Sequence, residues 1–172
     1  MKLIDFIAHN IERELDGLRR QLQAYPNENR IWEILPGIKN STGTLALHLC
    51  GNLRHYIGAI IGKSGYIRDR EAEFSKRDVP RSELLDEIDK TVQDVNSALA
   101  NLKEADLDNV YPMKISGLHV ETGDWILHLV SHLAYHLGQI DYHRRIVTGD
   151  SNVVNMLAVK ELKTAHSEFT KS

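Results

Sequence analysis

The chain has 172 residues, 42% apolar and 26% charged, with 21 Lys and Arg against 24 Asp and Glu for a formal charge of −3. That near balance leaves no electrostatic footprint for nucleic acid or an anionic membrane surface, and no apolar run approaches the roughly 18 residues of a membrane span. A single cysteine, Cys50, excludes an intrachain disulfide and any cysteine-based zinc site.

The length predicts one domain, 1–172, able to bury roughly 70% of its unfolded surface. The start, Met1-Lys2-Leu3-Ile4-Asp5, lacks a leader pattern, so a cytoplasmic protein is expected. From Lys2 to Tyr25, Leu3, Phe6, Ile7, Ile11, Leu15, Leu18 and Leu22 recur at three- and four-residue steps, the period of a helix with one apolar stripe. Pro26 and Asn27 end it. A second helix begins at Ser41 or Thr42, either a suitable cap, and runs through Leu45, Leu49, Leu53, Ile57 and Ile61. Glycines 51, 58 and 62 interrupt its pattern, each at about 1 kcal/mol relative to alanine, a cost attributed to close packing. Lys63 to Val79 is polar, charged and aperiodic, long for a structureless connection and so a candidate functional loop. A third helix follows Pro80 with Ser82 as cap, on the stripe Leu84, Ile88, Val92, Val95 and Leu99. Asp106 to Val120 reads as a short extended pair. Thr122 caps a fourth helix, from about Gly123 to Val147, and Gly149 stops it. A shorter helix, Asn152 to His166, closes the pattern. The fold class is all-α: a four-helix bundle with a short additional C-terminal helix.

Nine histidines are the unusual count. His48 and His55 lie on the second helix; His128, His132, His136 and His143 lie on the fourth. His132 and His136, four apart, stand one turn above each other, and His128 shares their face one turn earlier. Two imidazoles at i and i+4 converge on one metal ion, with a third ligand from a facing element, where His48 is the candidate. His128 with His132 is a competing pair. Imidazole suits zinc and nickel alike. His9 and His166 read as isolated, and His119, in a loop beside the fourth helix that could lie near the site, is read as having no role there.

The runs His48-Leu49-Cys50-Gly51-Asn52-Leu53-Arg54-His55 and His128-Leu129-Val130-Ser131-His132-Leu133-Ala134-Tyr135-His136-Leu137-Gly138-Gln139-Ile140 resemble the second- and fourth-helix motifs of the DinB/YfiT-like superfamily. The resemblance covers nearly the whole chain. It implies a four-helix bundle with zinc or nickel on three histidines, whose positions fall on His48, His132 and His136. Characterised members of that superfamily include thiol S-transferases that use low-molecular-weight thiols and a mycothiol-dependent isomerase. Leu137 stands where many members carry arginine, which leaves the triad intact.

Around that triad, Asn52 and His55 share the face of His48 and are candidates to orient a ligand. Arg68 and Arg70 are candidates to hold an anionic small-molecule substrate over the metal. Cys50 points about 200° away from His48 and reads as core. The expected function is a metal-dependent enzyme activating a low-molecular-weight thiol or water, S-transferase-like. The alternatives are a hydrolase, or a non-catalytic metal-binding module in stress response or metal homeostasis. No nucleic-acid or membrane partner is expected, and a homodimer is left open.

Overall fold

The computed structural model describes residues 2–154 and 158–166. Among the described residues five α-helices are seen: α1 (Leu3–Gln23), α2 (Thr42–Leu53), α3 (Arg70–Ser75), α4 (Arg81–Asn101) and α5 (Thr122–Thr148). From Arg54 to Ile61, α2 continues as a wide π-type turn, where Gly62 N–H donates to the carbonyl of Ile57, five residues back, at 2.9 Å. None of the described helices is long and apolar enough to cross a membrane.

The stripes predicted from the period form the core. Ile11, Leu15, Leu18 and Leu22 of α1 are fully buried, as are Leu49 and Ile57 of the α2 column, Ile88 of α4, and Ile126, Leu133 and Ile140 of α5. Each such side chain contributes about 2 kcal/mol by leaving water, so the helices are held by packing rather than by propensity.

α1 packs on α4 and α5, and α2 packs on the same two helices, so α1 and α2 stand at opposite corners. α1 runs parallel to α5, since Gln21 donates to Asp141 at 2.8 Å while Ile7 lies by Gly123 and Leu127. α2 is antiparallel to α5: Thr42 meets His143 at 3.0 Å and Tyr56 meets Trp125 at a centroid distance of 5.1 Å. α2 runs parallel to α4, with Cys50 beside Thr91 and Gly62 against Ala98. Two parallel neighbours need a connection that returns the full helix length. This accounts for the long segment after α2. It runs back along that helix and so passes the middle of α2, where His48 sits.

Local details differ from expectation. Ser41 caps α2 as predicted, accepting from Thr44 N–H. Ser82 does not cap α4, whose first turn is preceded by Pro80. Thr122 is the first residue of α5, and its hydroxyl donates outward to the Asn109 carbonyl at 2.9 Å. Gly149 ends α5 in the left-handed region, φ 69°. The extended pair between 106 and 120 reduces to two isolated bridges, Val110–Glu121 and Ile115–Leu118. The helix expected over Asn152–His166 is absent among the described residues. One 3₁₀ turn, Val159–Glu161, stands there, and residues 155–157 lie outside the described set. Tertiary bonds hold that stretch instead: Arg20 pairs with Glu161 at 3.0 Å, and His9 Nε2 donates to the Glu161 carbonyl at 2.8 Å.

Candidate metal centre

Antiparallel packing of α2 and α5 places His48 opposite the His132–His136 turn. His48 Nε2 lies 3.4 Å from His132 Nε2, and His136 Nε2 lies 3.1 Å from the same atom. All three ligand atoms fall within 4.8 Å of one another. His48 is buried, and the other two rings are half-buried. Four-coordinate zinc, with bonds of about 2.05 Å, sets its ligand nitrogens about 3.3 Å apart, so two of the three pairs, His48–His132 and His132–His136, already stand at ligand spacing.

The tautomers fit as well. His48 Nδ1 donates to the Glu73 carboxylate at 3.1 Å, and His136 Nδ1 donates to Gln139 Oε1 at 2.7 Å. A proton fixed on Nδ1 leaves the Nε2 lone pair bare. Two bare lone pairs therefore converge on His132 Nε2, which could offer a proton to only one of them. A cation satisfies all three. Burial, then the neighbouring His136, His48, His128 and Arg68, lowers the His132 pKa to about 4, and burial pushes His136 down as well. Neutral rings of this kind are what a metal requires.

Glu73 is the residue that sequence reasoning missed. It belongs to α3, inside the segment expected to be aperiodic, and is buried to 6% exposure. Arg68 clamps it with both forks, Nε to Oε1 at 2.7 Å and Nη2 to Oε2 at 2.8 Å. Burial alone would raise the Glu73 pKa; the bonds from Arg68 and His48 outweigh it and hold the carboxyl below its ordinary range. Gly51 makes room, because a Cβ there would collide with the Glu73 carboxylate. Phe74 lies on His48 at a centroid distance of 4.9 Å. An acidic residue in a long charged loop, paired with a glycine in the helix three residues past the ligand, was the available signal.

The family comparison agrees in extent with this architecture. The profile described as "Protein of unknown function (DUF1572)" matches residues 4–160. The chain belongs to the DUF1572 family. No curated protein and no solved structure matches it.

In this DUF1572 chain Arg68 reaches the triad, whereas His55 and Arg70 make no contact with its rings. Asn52 is buried one turn beyond His48, and its Oδ1 meets no hydrogen-bond donor among the described residues. His55 packs on Tyr56 at 4.8 Å and makes no hydrogen bond or ring contact with the triad; burial and then the Arg68 charge lower its pKa. Arg68 reaches the site: its Nε and Nη2 bond Glu73, and Nη2 also lies 3.4 Å from His48 Nδ1, which makes it a support for the Glu73–His48 pair. Arg70 is exposed, its guanidinium 5.0 Å over the Phe74 ring. His128 is exposed and stacked on Trp125 at 4.9 Å, with its ring centroid 6.4 Å from His132. Leu137 is in the core. Cys50 is buried, and burial raises its thiol pKa to about 12, which leaves it inert as a nucleophile.

His143 is structural in the DUF1572 chain. Its Nε2 donates to the Glu33 carbonyl at 2.8 Å, and its Nδ1 faces the hydroxyls of Tyr25 at 2.7 Å and Thr42 at 3.0 Å. Burial lowers its pKa below the ordinary 6.5, with the Glu33 bond opposing. The unfolded chain therefore takes up this proton more readily than the fold does, and stability falls as pH drops from 6.5 towards the folded pKa. Urea unfolding from pH 8 to pH 5 in the presence of a chelator measures this. The stability of the protein should decline below pH 6.5, and His143→Asn should flatten that decline. Parallel profiles for the two proteins would count against it.

Proposed function

We propose that this chain is a DinB/YfiT-like metal-dependent enzyme of the thiol S-transferase type, with His48, His132 and His136 holding zinc or nickel. The observation that carries the reading is the convergence of three Nε2 atoms at 3.1 and 3.4 Å, with two of the rings fixed by Nδ1 bonds. When bound, a divalent metal lowers the pKa of a thiol or water beside it. Glu73 and Gln139 hold two imidazoles in the ligating tautomer. Three neutral histidines without a carboxylate among them leave the ion's charge for an incoming anion. Phe74, Trp125 and His128 give the surroundings an aromatic wall. With the Cys50 thiol buried, the sulfur nucleophile comes from a low-molecular-weight thiol.

Elemental analysis of the purified protein should find about one divalent metal per chain. Incubation with several small thiols and an alkylating electrophile should then show thiol consumption that a chelator stops and the metal restores. Consumption indifferent to the chelator would sink the reading. Loss of the electrophile to water, with thiol untouched, would replace transfer by metal-dependent hydrolysis.

A further inference from the structure

The connection after α2 does more than span the bundle. It is anchored on the histidine site at two consecutive residues: Glu73 bonds His48 Nδ1 at 3.1 Å, and Phe74 covers the His48 ring at 4.9 Å. The Glu73 carboxylate sits in a notch on α2 that exists because residue 51 is glycine. Its charge is matched by Arg68 from the same connection, held at 2.7 and 2.8 Å. Asp69 caps α3 by accepting from Ala72 N–H at 2.9 Å, which fixes the turn that presents Glu73. Carboxylate, helix and clamp thus form one unit.

We propose that α3 is a latch coupled to metal occupancy, with Glu73 as the positioning residue; this rests on the three-histidine reading above. Docked, α3 gives His48 a carboxylate partner that fixes its ring and strengthens it as a donor. Undocked, His48 loses that partner, and its Nδ1 proton is shared with water. The metal therefore binds the docked form better, and by linkage it holds α3 down by the same factor that α3 adds to metal affinity. The segment that covers the site is thereby set by the ion that the site holds.

Two measurements test this on the full chain, with zinc as the probe. The first is zinc affinity by competition with a chromophoric chelator, for the wild type, Glu73→Gln and Gly51→Ala. The amide of Glu73→Gln removes the charge at constant shape, and Gly51→Ala evicts the carboxylate while leaving it in the sequence. Each should weaken zinc by about 10-fold or more, the range in which partners of metal-binding histidines act. The second is amide hydrogen exchange over residues 70–75 with and without zinc. Zinc should slow it by about 10-fold in the wild type and by less than about twofold in either variant, a signature that a merely structural role would not give. Zinc-independent exchange in a wild type that binds zinc overturns the latch and leaves the metal site standing. Variant affinities within about twofold of wild type do the same. A wild type that binds no zinc or nickel overturns the metal site and the latch together.

Discussion

His132→Ala is expected to abolish stoichiometric metal binding, with affinity falling about 100-fold or more. His132 Nε2 is the atom on which the other two ligand nitrogens converge, at 3.4 and 3.1 Å. Four-ligand zinc sites gain about 10–16 kcal/mol in total, so one ligand carries about 3 kcal/mol, which is two decades in affinity. The surviving pair, His48 and His136, approaches edge-on with centroids 5.4 Å apart and has no third nitrogen to close the set. His128→Ala should change affinity by less than about twofold, because that ring lies flat against Trp125 with its centroid 6.4 Å from His132. Competition titration measures both. Equal losses in the two variants would reassign the α5 pair to His128 with His132.

Arg144→Ala should cost about 3–5 kcal/mol of stability, a fall of about 10 °C in Tm. Arg144 is wholly buried. Its Nε donates to Gln21 Oε1 at 2.7 Å, and its Nη2 donates to the Asn152 carbonyl at 2.6 Å and to Asp141 at 3.3 Å. Alanine removes the buried guanidinium that joins Gln21, Asp141 and the Asn152 carbonyl, which is the expensive way to break a buried charge network. It also frees the stretch after α5 from the helix that anchors it. Thermal unfolding in excess chelator separates this from any metal effect. A Tm drop below about 3 °C would show that the network contributes little.

The parts of this molecule that were legible in the sequence are those with a period. The stripes of α1, α4 and α5 recur over many turns, α2 is apolar and buried on nearly every side, and the His132–His136 step is a helix-face relation that needs no tertiary knowledge. The family resemblance chose that pair over His128 with His132; the residues alone leave both open, since only the antiparallel match of α2 and α5 puts His48 where it lies. Glu73 was illegible for a different reason. It lies 25 residues from His48, in a segment whose charges look like a solvated surface, and its burial depends on a clamp and a notch that no local pattern encodes. Ser82 and Thr122 look like caps, yet the backbone begins each helix elsewhere, because side-chain type alone does not fix which N–H groups are left over. The stretch Asn152–His166 has helical composition, but Arg144, Arg20 and His9 hold its described part through carbonyls and Glu161, in a form a helix would not offer.

The wide turn from Arg54 to Ile61 bears on how such a chain can change length over evolutionary time. A π-type turn contains about one residue more than the α-helical turn it replaces. It lies downstream of His48, so losing one residue there would tighten the helix without moving the ligand. What would move is the phase at which the chain leaves α2, and with it the angle at which Glu73 arrives from the far side of the crossover. Single-residue insertions and deletions at this point would act as a tuning screw on the site, changing the carboxylate's approach while the spacing of the three histidines stays fixed.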